Sequence, residues 1–480
     1  MRCILFSLFA LITALATSIA SAAPKTNVLF IMADDLRPEL ASFGRPSITP
    51  HLDRLSERSV QFNHAYCQQA LCNPSRSSML TGRRPDTLGL WCNSIHFREL
   101  KPDVTTLPLW FKEQGYTTRC VGKIFHNWHT KDKGDRQSWS APEFLYYANH
   151  GEDKPLVTGN LPANLVTAPR CECRDVPDEA YYDGRVAAEA VRVLAELKDQ
   201  PFFLAVGFWK PHAPFNAPKR YWDLHDRSKI PPLDPARPEG APEIAFHQST
   251  EIRGVGPNQL PEFTSAQAAE MRHGYYANIS YMDAQLGKVL NALEQQKLLE
   301  RTIIVFAGDH GYHVGEHSLW GKTSNFELDA RVPLLISAPG MRGARTDSLA
   351  ELLDLFPTLV ELCQLPAPAG LEGTSLTPVL KDPAQRVKSV AFTQHPRPAY
   401  YDREPDAVPK VMGCSVRTDR VRYTEWRDWQ SGEVVARELY DTATDPAEMQ
   451  NAIGKSELSA AQQAAETELH RQFPPRKTAK

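Results

Sequence analysis

The sequence predicts an α/β fold with a large mixed sheet flanked by helices, followed by a smaller C-terminal subdomain containing an antiparallel sheet. Short apolar runs alternate with helical patterns along most of the chain, which is typical of α/β proteins. After Pro378 the pattern changes, and a proline-rich stretch at 395–409 precedes shorter alternating segments such as 415–426. We therefore expect a main domain at 23–378 and a subdomain at 379–480.

Five apolar runs are the candidates for strands of the main sheet. They lie at residues 27–33, 117–121, 201–208, 302–307 and 332–338. Each is short and nearly continuous in apolar residues, as expected of strands buried on both faces. The clearest helical pattern covers residues 265–299, where apolar side chains recur on one helix face.

Charged and histidine side chains directly follow four of these strands. The pairs, in chain order, are Asp34 with Asp35, Lys123 with His126, Lys210 with His212, and Asp309 with His310. Ligands of open α/β sheets bind beyond the carboxyl ends of the strands. The coincidence of four such strand ends therefore predicts one functional site at this edge of the sheet.

Residues 1–22 have the pattern of an export signal. Arg2 precedes an apolar run at 4–16, and Ala20-Ser21-Ala22 is a small-residue cleavage pattern. Because the run is short, we expect cleavage near Ala23 rather than a membrane anchor. The prediction is a secreted or periplasmic protein without membrane attachment after cleavage. The single glycosylation sequon, at Asn278, falls inside a predicted helix, which disfavours a glycosylated lysosomal protein.

Composition excludes several other classes of protein. Hydrophobic residues make up 42% of the chain and charged residues 23%, as in ordinary soluble domains. The net charge is −3, so nothing indicates a nucleic-acid partner. The nine cysteines match neither a zinc-ligand pattern nor a dense disulfide framework.

The sharpest local signal is Cys72-Asn73-Pro74-Ser75-Arg76, followed by Leu80-Thr81-Gly82-Arg83. Pro74 suits a first helical position, so we expect Cys72 at a helix N-terminus, where backbone N–H groups favour anions. A Cys-x-Pro sequence alone is more often a buried loop cysteine. The complete string, however, resembles the signature of the formylglycine-dependent sulfatase family.

The resemblance extends over nearly the whole mature chain and is strongest to the iduronate-2-sulfatase branch. Segments similar to that branch include Asp34-Asp35-Leu36-Arg37-Pro38, Val121-Gly122-Lys123, Lys210-Pro211-His212, Asp309-His310-Gly311 and Ser415-Val416-Arg417-Thr418. The resemblance implies an alkaline-phosphatase-like fold and hydrolysis of sulfate monoesters on sulfated sugars such as 2-O-sulfated uronate. It also implies a maturation enzyme that oxidises Cys72 to formylglycine, the nucleophile.

Three carboxylates, those of Asp34, Asp35 and Asp309, are predicted to share one pocket. Each could instead cap a helix or turn, but together and unpaired they would repel one another. A divalent cation resolves the repulsion. The resemblance adds Cys72 and His310 to the ligands and implies Ca²⁺. Imidazole is a softer ligand than Ca²⁺ usually takes, which leaves Mg²⁺ and Mn²⁺ open.

The resemblance also implies roles for further side chains. Arg76, Lys123 and Lys322 match family positions that hold the formylglycine or the sulfate, where fixed cations stabilise developing negative charge. His126 and His212 match histidines near the nucleophile and the leaving group, and both can carry protons near neutral pH. We expect His212 to be the leaving-group acid and His126 to serve the formylglycine hydroxyl. His313 and His317 are expected to be structural or to lie behind the metal ligands.

Rival interpretations stay open at this point. A phosphatase or phosphonate hydrolase of the same superfamily would differ at Cys72, and a non-catalytic sulfated-glycan binder would have lost Cys72, Arg76 or a metal ligand. The substrate could also be a neutral sulfated polysaccharide or another sulfate ester. For a uronate, a second cationic group is needed, and the segment 395–410 offers Arg397, Arg403 and Lys410, unless it is an ordinary linker.

Overall fold

The computed structural model describes residues 25–126, 134–144, 171–254, 260–403 and 408–474, and the statements below concern those residues. The predicted export signal lies outside them. Within them, no helix combines the length and the apolar character that crossing a membrane requires.

Fifteen strands are described. They are β1 (Asn27–Asp34), β2 (Val60–Tyr66), β3 (Thr117–Gly122), β4 (Cys171–Arg174), β5 (Phe202–Pro211), β6 (Phe215–Pro218), β7 (Thr302–Gly308), β8 (His313–Val314), β9 (Trp320–Gly321), β10 (Arg331–Ser337), β11 (Ala344–Glu351), β12 (Ala391–Arg397), β13 (Val411–Arg417), β14 (Val421–Asp428) and β15 (Val434–Asp441).

Thirteen α-helices accompany them in the described residues. They are α1 (Pro50–Ser56), α2 (Cys72–Thr81), α3 (Pro85–Leu88), α4 (Phe97–Leu100), α5 (Leu107–Glu113), α6 (Tyr182–Leu197), α7 (Lys219–Trp222), α8 (Thr250–Arg253), α9 (Ser265–Gln295), α10 (Glu327–Ala330), α11 (Leu355–Leu362), α12 (Thr377–Lys381) and α13 (Ser459–Gln472).

The central sheet has seven strands in the order β11-β2-β10-β7-β1-β5-β3. The neighbours β7, β1, β5 and β3 run parallel, so their carboxyl ends share one edge. Strand β10 is antiparallel to β7 and β2, which makes the sheet mixed, as predicted. Strands β2 and β11 were not predicted, because polar side chains interrupt their apolar residues.

Helices cover both faces of the sheet because the side chains of β1 alternate between two cores. Val28, Phe30 and Met32 pack on one face, whereas Leu29 and Ile31 pack on the other. The first face also receives α2, α5 and α11, and the second receives α6 and α9. Full burial of a side chain such as Phe30 stabilises the fold by about 1.5–3 kcal/mol.

The C-terminal region forms a second sheet, antiparallel, in the order β12-β13-β14-β15. Helix α13 packs on it through Ala465 and Leu469, which gives this region its own apolar core. The antiparallel subdomain was predicted from the alternating segments, and its boundary at residue 379 stays a prediction. All eight cysteines in the described residues have free thiols.

Candidate active site

The carboxyl edge of the four parallel strands brings together the side chains that follow them. At the end of β1, Asp35 adopts a left-handed backbone conformation with φ of 62°. Its backbone N–H donates to Oδ1 of Asp309, 3.0 Å away at the end of β7. This bond ties the two strand ends together. A residue other than glycine at positive φ is uncommon and is found at functional sites when its surroundings enforce it.

Cys72 is the first residue of α2 and lies at this edge. The helix therefore begins two residues before Pro74, which occupies its third position. The Sγ atom lies 3.6 Å from Oδ1 of Asp34, 3.4 Å from Nε2 of His310 and 3.7 Å from Nζ of Lys123. Burial raises the pKa of the Cys72 thiol well above its usual value, although Lys123 opposes the shift. The unmodified side chain is therefore protonated and a weak nucleophile.

Arg76, one turn further along α2, is completely buried and joins three strand ends. Its Nε donates to Oδ2 of Asp309 at 2.8 Å, and Nη2 donates to Oδ1 of Asp34 at 2.9 Å. Nη1 donates to the backbone carbonyls of Lys123 and Ile124. Because its guanidinium is committed to these partners, Arg76 holds the carboxylates in place.

The two neighbouring aspartates have opposite electrostatic surroundings. Burial alone would raise the pKa of Asp34, but Lys123 and Arg76 hold it well below its usual value. Nζ of Lys123 donates to Oδ2 of Asp34. Burial raises the pKa of Asp35, and the opposing charges of His212 and Lys322 do not cancel that effect. Asp35 is thus a buried carboxylate whose negative charge is incompletely compensated.

His310 presents its ring nitrogen Nε2 to these carboxylates. Its Nδ1 lies 2.9 Å from the carbonyl oxygen of Gly311, so Nδ1 carries the hydrogen. Nε2 lies 3.6 Å from Oδ1 of Asp35 and 3.5 Å from Oδ2 of Asp309. Oδ2 of Asp35 is buried and has no hydrogen-bond partner among the described residues. Buried carboxylate oxygens and a ring nitrogen grouped in this way fit a divalent cation between them.

The donor set supports the same interpretation. One ligand atom each from Asp34, Cys72, Asp309 and His310 lies within 4.8 Å of the other three. A second group of the same kind joins Asp34, Asp35, Cys72 and His212. Both groups contain Cys72, so a cation bound here would contact its side chain.

His212 and Lys322 lie on the other side of Asp35 and meet a residue that the sequence did not single out, Glu251. Nζ of Lys322 donates to Oδ1 of Asp35 at 2.9 Å and to Oε1 of Glu251 at 2.6 Å. Nε2 of His212 lies 3.3 Å from the same Oε1. Nδ1 of His212 lies 2.5 Å from the carbonyl oxygen of Ala213, so both ring nitrogens face acceptors.

Glu251 lies on the four-residue helix α8, and no motif in the sequence indicates its role. Its second oxygen, Oε2, accepts a hydrogen bond from the hydroxyl of Tyr400 at 2.8 Å. Only the folded chain brings these residues together, because Tyr400 belongs to the segment that follows β12.

His126 is buried and lies near the charged side chains of Lys123 and Asp34. Burial lowers its pKa well below the usual value, and the charge of Lys123 lowers it further. The ring is therefore neutral and can accept a proton.

The expected structural role of two other histidines agrees with their contacts. His313 pairs with Asp329 at 2.6 Å and with His317 at 3.1 Å. His317 in turn contacts the carbonyl oxygen of Ala447. The two rings thus link the main domain to the C-terminal subdomain.

The three cations of the segment 395–410 have different environments. Arg397 donates to the carbonyls of Ile244, Ala245 and Thr323 and stacks on Trp426, so its guanidinium has structural partners. The expectation that it binds a substrate carboxylate is not supported by these contacts. Arg403 and Lys410 are exposed, and the guanidinium of Arg403 lies 3.8 Å from the ring centroid of Tyr400. Residues 404–407 lie outside the described part.

The fold and the site define a class of enzyme. Residues 26–365 match the model of the Sulfatase family, and residues 315–473 match that of the N-sulphoglucosamine sulphohydrolase C-terminal region. The chain belongs to the sulfatase family and is a sulfuric ester hydrolase. Within this family it is 34% identical to iduronate 2-sulfatase of Mus musculus, over 91% of this chain and 92% of that protein. The resemblance to that branch is confirmed.

Solved structures support the fold. BT4656, solved with its substrate D-glucosamine-2-N,6-O-disulfate, superposes with a TM-score of 0.73 at 20% identity, covering 94% of this chain and 99% of that one. A phosphonate monoester hydrolase from Silicibacter pomeroyi superposes with a TM-score of 0.75 at 22% identity, covering 94% and 96%. These likenesses confirm the predicted alkaline-phosphatase-like α/β fold.

Proposed function

We propose that the protein hydrolyses sulfate monoesters of sugars, R–O–SO₃⁻ plus water giving R–OH and sulfate, with 2-O-sulfated uronate as the favoured substrate. The observation that carries the proposal is the position of Cys72. Its Sγ lies within 3.7 Å of a carboxylate, an imidazole and an ammonium group in one buried cluster. The similarity to iduronate 2-sulfatase supports the choice of sugar.

Two groups complete this site. Formylglycine, produced when a maturation enzyme oxidises Cys72, would supply in its hydrated form two hydroxyl groups, one as the nucleophile towards sulfur and one for the later release of sulfate. Asp34, Asp35, Asp309, His310 and the modified Cys72 side chain would hold a divalent cation, which would supply positive charge to the sulfate oxygens. We propose Ca²⁺ because carboxylate oxygens dominate the donor set; metal analysis distinguishes it from Mg²⁺ and Mn²⁺.

The cationic side chains of the cluster bind and stabilise the sulfate. Lys123 and Lys322 flank Cys72, and their side chains are only 3% and 2% exposed. In such a poorly solvated environment, a fixed ammonium stabilises developing charge more strongly than it does in water. Arg76 has its guanidinium committed to Asp34 and Asp309, so we assign it the task of holding metal ligands rather than sulfate.

Two histidines move protons on opposite sides of the reacting group. The neutral ring of His126 accepts the proton from the attacking hydroxyl. His212, whose Nε2 faces Glu251 and Asp35, donates its Nε2 proton to the leaving oxygen. A sugar alkoxide is a poor leaving group, so this proton transfer matters most for sugar sulfates.

The protein acts outside the cytoplasm and depends on a maturation enzyme. The pattern of residues 1–22 supports export to the periplasm or outside the cell. The required partner is a formylglycine-generating maturation enzyme. Without it, the Cys72 thiol, whose pKa is raised by burial, stays protonated and is a weak nucleophile.

The test combines mass spectrometry with a substrate panel. The protein is produced with a formylglycine-generating enzyme, and the peptide containing Cys72 is analysed for the aldehyde. Rates are then measured on a 2-O-sulfated uronate, a 6-O-sulfated glucosamine, an aryl sulfate and an aryl phosphonate. We expect the aldehyde and preferential hydrolysis of the sulfated uronate. Preference for the phosphonate, or full activity with an unmodified thiol, would contradict the proposal.

A further inference from the structure

We propose that Glu251 is a positioning residue for the leaving-group side of the site, and that Tyr400 of the C-terminal subdomain holds it in place. The inference rests on the proposed function, because it assigns Glu251 to the alignment of His212 and Lys322 during hydrolysis of a sulfate ester. It adds a carboxylate that the strand-end residues and the Cys72 signature do not include.

Both carboxylate oxygens of Glu251 contact side chains from other parts of the chain. Oε1 lies 2.6 Å from Nζ of Lys322 and 3.3 Å from Nε2 of His212, so one oxygen fixes the distance between these two nitrogen atoms. Oε2 accepts the hydroxyl of Tyr400 at 2.8 Å, which fixes the rotation of the carboxylate. Lys322 is shared with Asp35, and Glu251 therefore keeps its ammonium group from moving fully onto that residue.

The charge of Glu251 also requires an explanation. Burial would raise its pKa, but Lys322 and His212 hold it well below the usual value, so the carboxylate is ionised. A carboxylate next to a sulfate-binding site repels the anionic ester, and this repulsion weakens substrate binding. Its presence is understandable if the alignment of Lys322 and His212 in the transition state outweighs the loss in binding.

The C-terminal subdomain stabilises this arrangement from behind. Arg397 donates to the carbonyl of Thr323, which follows Lys322 and has a φ of 89°. The same guanidinium donates to Ile244 and Ala245, on the segment that leads to α8. Arg397 thus links the two segments that carry Lys322 and Glu251.

The inference predicts a specific kinetic pattern. Glu251→Gln keeps the shape of the side chain but removes its charge. We expect kcat on a sugar sulfate to fall by about 10- to 100-fold and kcat on an activated aryl sulfate by less than about 3-fold. The reason is that His212 loses the carboxylate that aligns it as the acid, whereas Lys322 keeps its hydrogen bond to Asp35. KM for both esters should stay constant or decrease, since a repulsive charge is gone. Tyr400→Phe should give the same pattern with a smaller effect.

The experiment measures kcat and KM of wild type, Glu251→Gln, Glu251→Asp and Tyr400→Phe on both esters. Glu243→Gln is the matched control, because Glu243 is an exposed glutamate on the preceding segment whose side chain is 86% exposed. Thermal unfolding shows whether each variant is folded. We expect Glu251→Asp to restore part of the kcat on the sugar ester and Glu243→Gln to behave as wild type.

Two results would overturn the inference: an unchanged ratio of the two kcat values in Glu251→Gln, or an equal loss on both esters with a raised KM. If Glu251→Gln does not fold, the ratio of kcat on the sugar sulfate to kcat on the aryl sulfate is measured for Tyr400→Phe instead, and an unchanged ratio overturns the inference. A wild-type protein that hydrolyses neither ester contradicts the proposed function itself, and the two failures are therefore distinguishable.

Discussion

The two halves of the candidate site are constructed differently. The nucleophile half comprises Cys72, His126, Asp309, Asp34, Arg76 and Lys123. The side chains of the last three are 0%, 0% and 3% exposed, and direct ion pairs join them at strand ends. The leaving-group half contains His212 and Glu251, with side chains 12% and 14% exposed. Its members come from loops, from the short helix α8 and from the C-terminal subdomain.

This difference separates two tasks. The nucleophile half is rigid because each side chain has several charged or backbone partners. Such preorganisation suits the chemistry that every sulfate ester requires. The leaving-group half is partly exposed to solvent, and in the proposed function it faces the part of the substrate that leaves. We therefore expect substitutions in the first half to affect all esters alike and substitutions in the second to depend on the leaving group.

The largest effect is expected at Cys72. Cys72→Ala removes the side chain that we propose as the precursor of the nucleophile, so the rates on aryl and sugar sulfates should both fall by about 10³-fold or more. Initial rates on the two esters measure this. Cys173→Ala, which changes an exposed free cysteine on β4, is the control and should match wild type. A Cys72→Ala protein that retains wild-type turnover would remove the basis for the nucleophile half.

Asp309→Asn should produce the next largest effect. The substitution keeps the shape but removes one charge from the fully buried pair with Arg76. Loss of one partner of a buried pair costs about 3–5 kcal/mol, so we expect lower stability in denaturant unfolding. Bound metal should be lost, and the rate should fall by about 10²- to 10³-fold on both esters.

The metal content of the purified variant decides this prediction. Asp347→Asn, at an exposed aspartate, serves as the control for the loss of charge. Retention of a full equivalent of metal together with wild-type stability would show that Asp309 neither binds the cation nor supports Arg76.

His212→Ala tests whether the halves differ in their dependence on the leaving group. We expect a fall of about 10²-fold on a sugar sulfate and a much smaller fall on an activated aryl sulfate, because only the sugar oxygen needs protonation. His126→Ala, in the nucleophile half, should slow both esters similarly. Equal slowing of the two esters by His212→Ala would reject its assignment as the leaving-group acid.

The nucleophile half could be predicted from the sequence because its residues follow buried parallel strands or lie in one continuous motif. The strand pattern placed Asp34, Lys123 and Asp309 at one edge of the sheet, and the resemblance to sulfatases added Arg76. These signals are local, and the geometry of a parallel sheet converts them into proximity.

The leaving-group half could not be predicted to the same extent. Glu251 has its partners at Lys322 and Tyr400, far away in sequence, and its short helix carries no periodic pattern. Arg397 and Arg403 occupy similar proline-rich surroundings in the sequence, yet the fold gives one of them carbonyl partners and leaves the other exposed. Only tertiary contacts distinguish them.

The smallest effect is expected at Arg403, which tests whether the leaving-group half recognises the carboxylate of a uronate. A sulfated uronate carries a carboxylate in addition to the sulfate, and in the proposed function Lys123 and Lys322 are occupied by the sulfate. The guanidinium of Arg403 is exposed and stacks on Tyr400, whose hydroxyl contacts Glu251, so it lies on the solvent side of the leaving-group half. A guanidinium can bind a carboxylate through two parallel hydrogen bonds.

Because an exposed ion pair contributes only about 0.2–1 kcal/mol, Arg403→Ala should raise KM for a 2-O-sulfated uronate by about 2- to 5-fold. It should leave KM for the carboxyl-reduced analogue unchanged. Arg403→Lys keeps the charge but not the two-bond geometry, so its KM should lie between those of wild type and Arg403→Ala. Lys410→Ala tests the other exposed cation in the same way, and Arg420→Ala, at a remote exposed arginine, is the control. If wild type has the same KM for the uronate and its carboxyl-reduced analogue, the leaving-group half does not select a carboxylate. A neutral sulfated sugar then becomes the better substrate assignment.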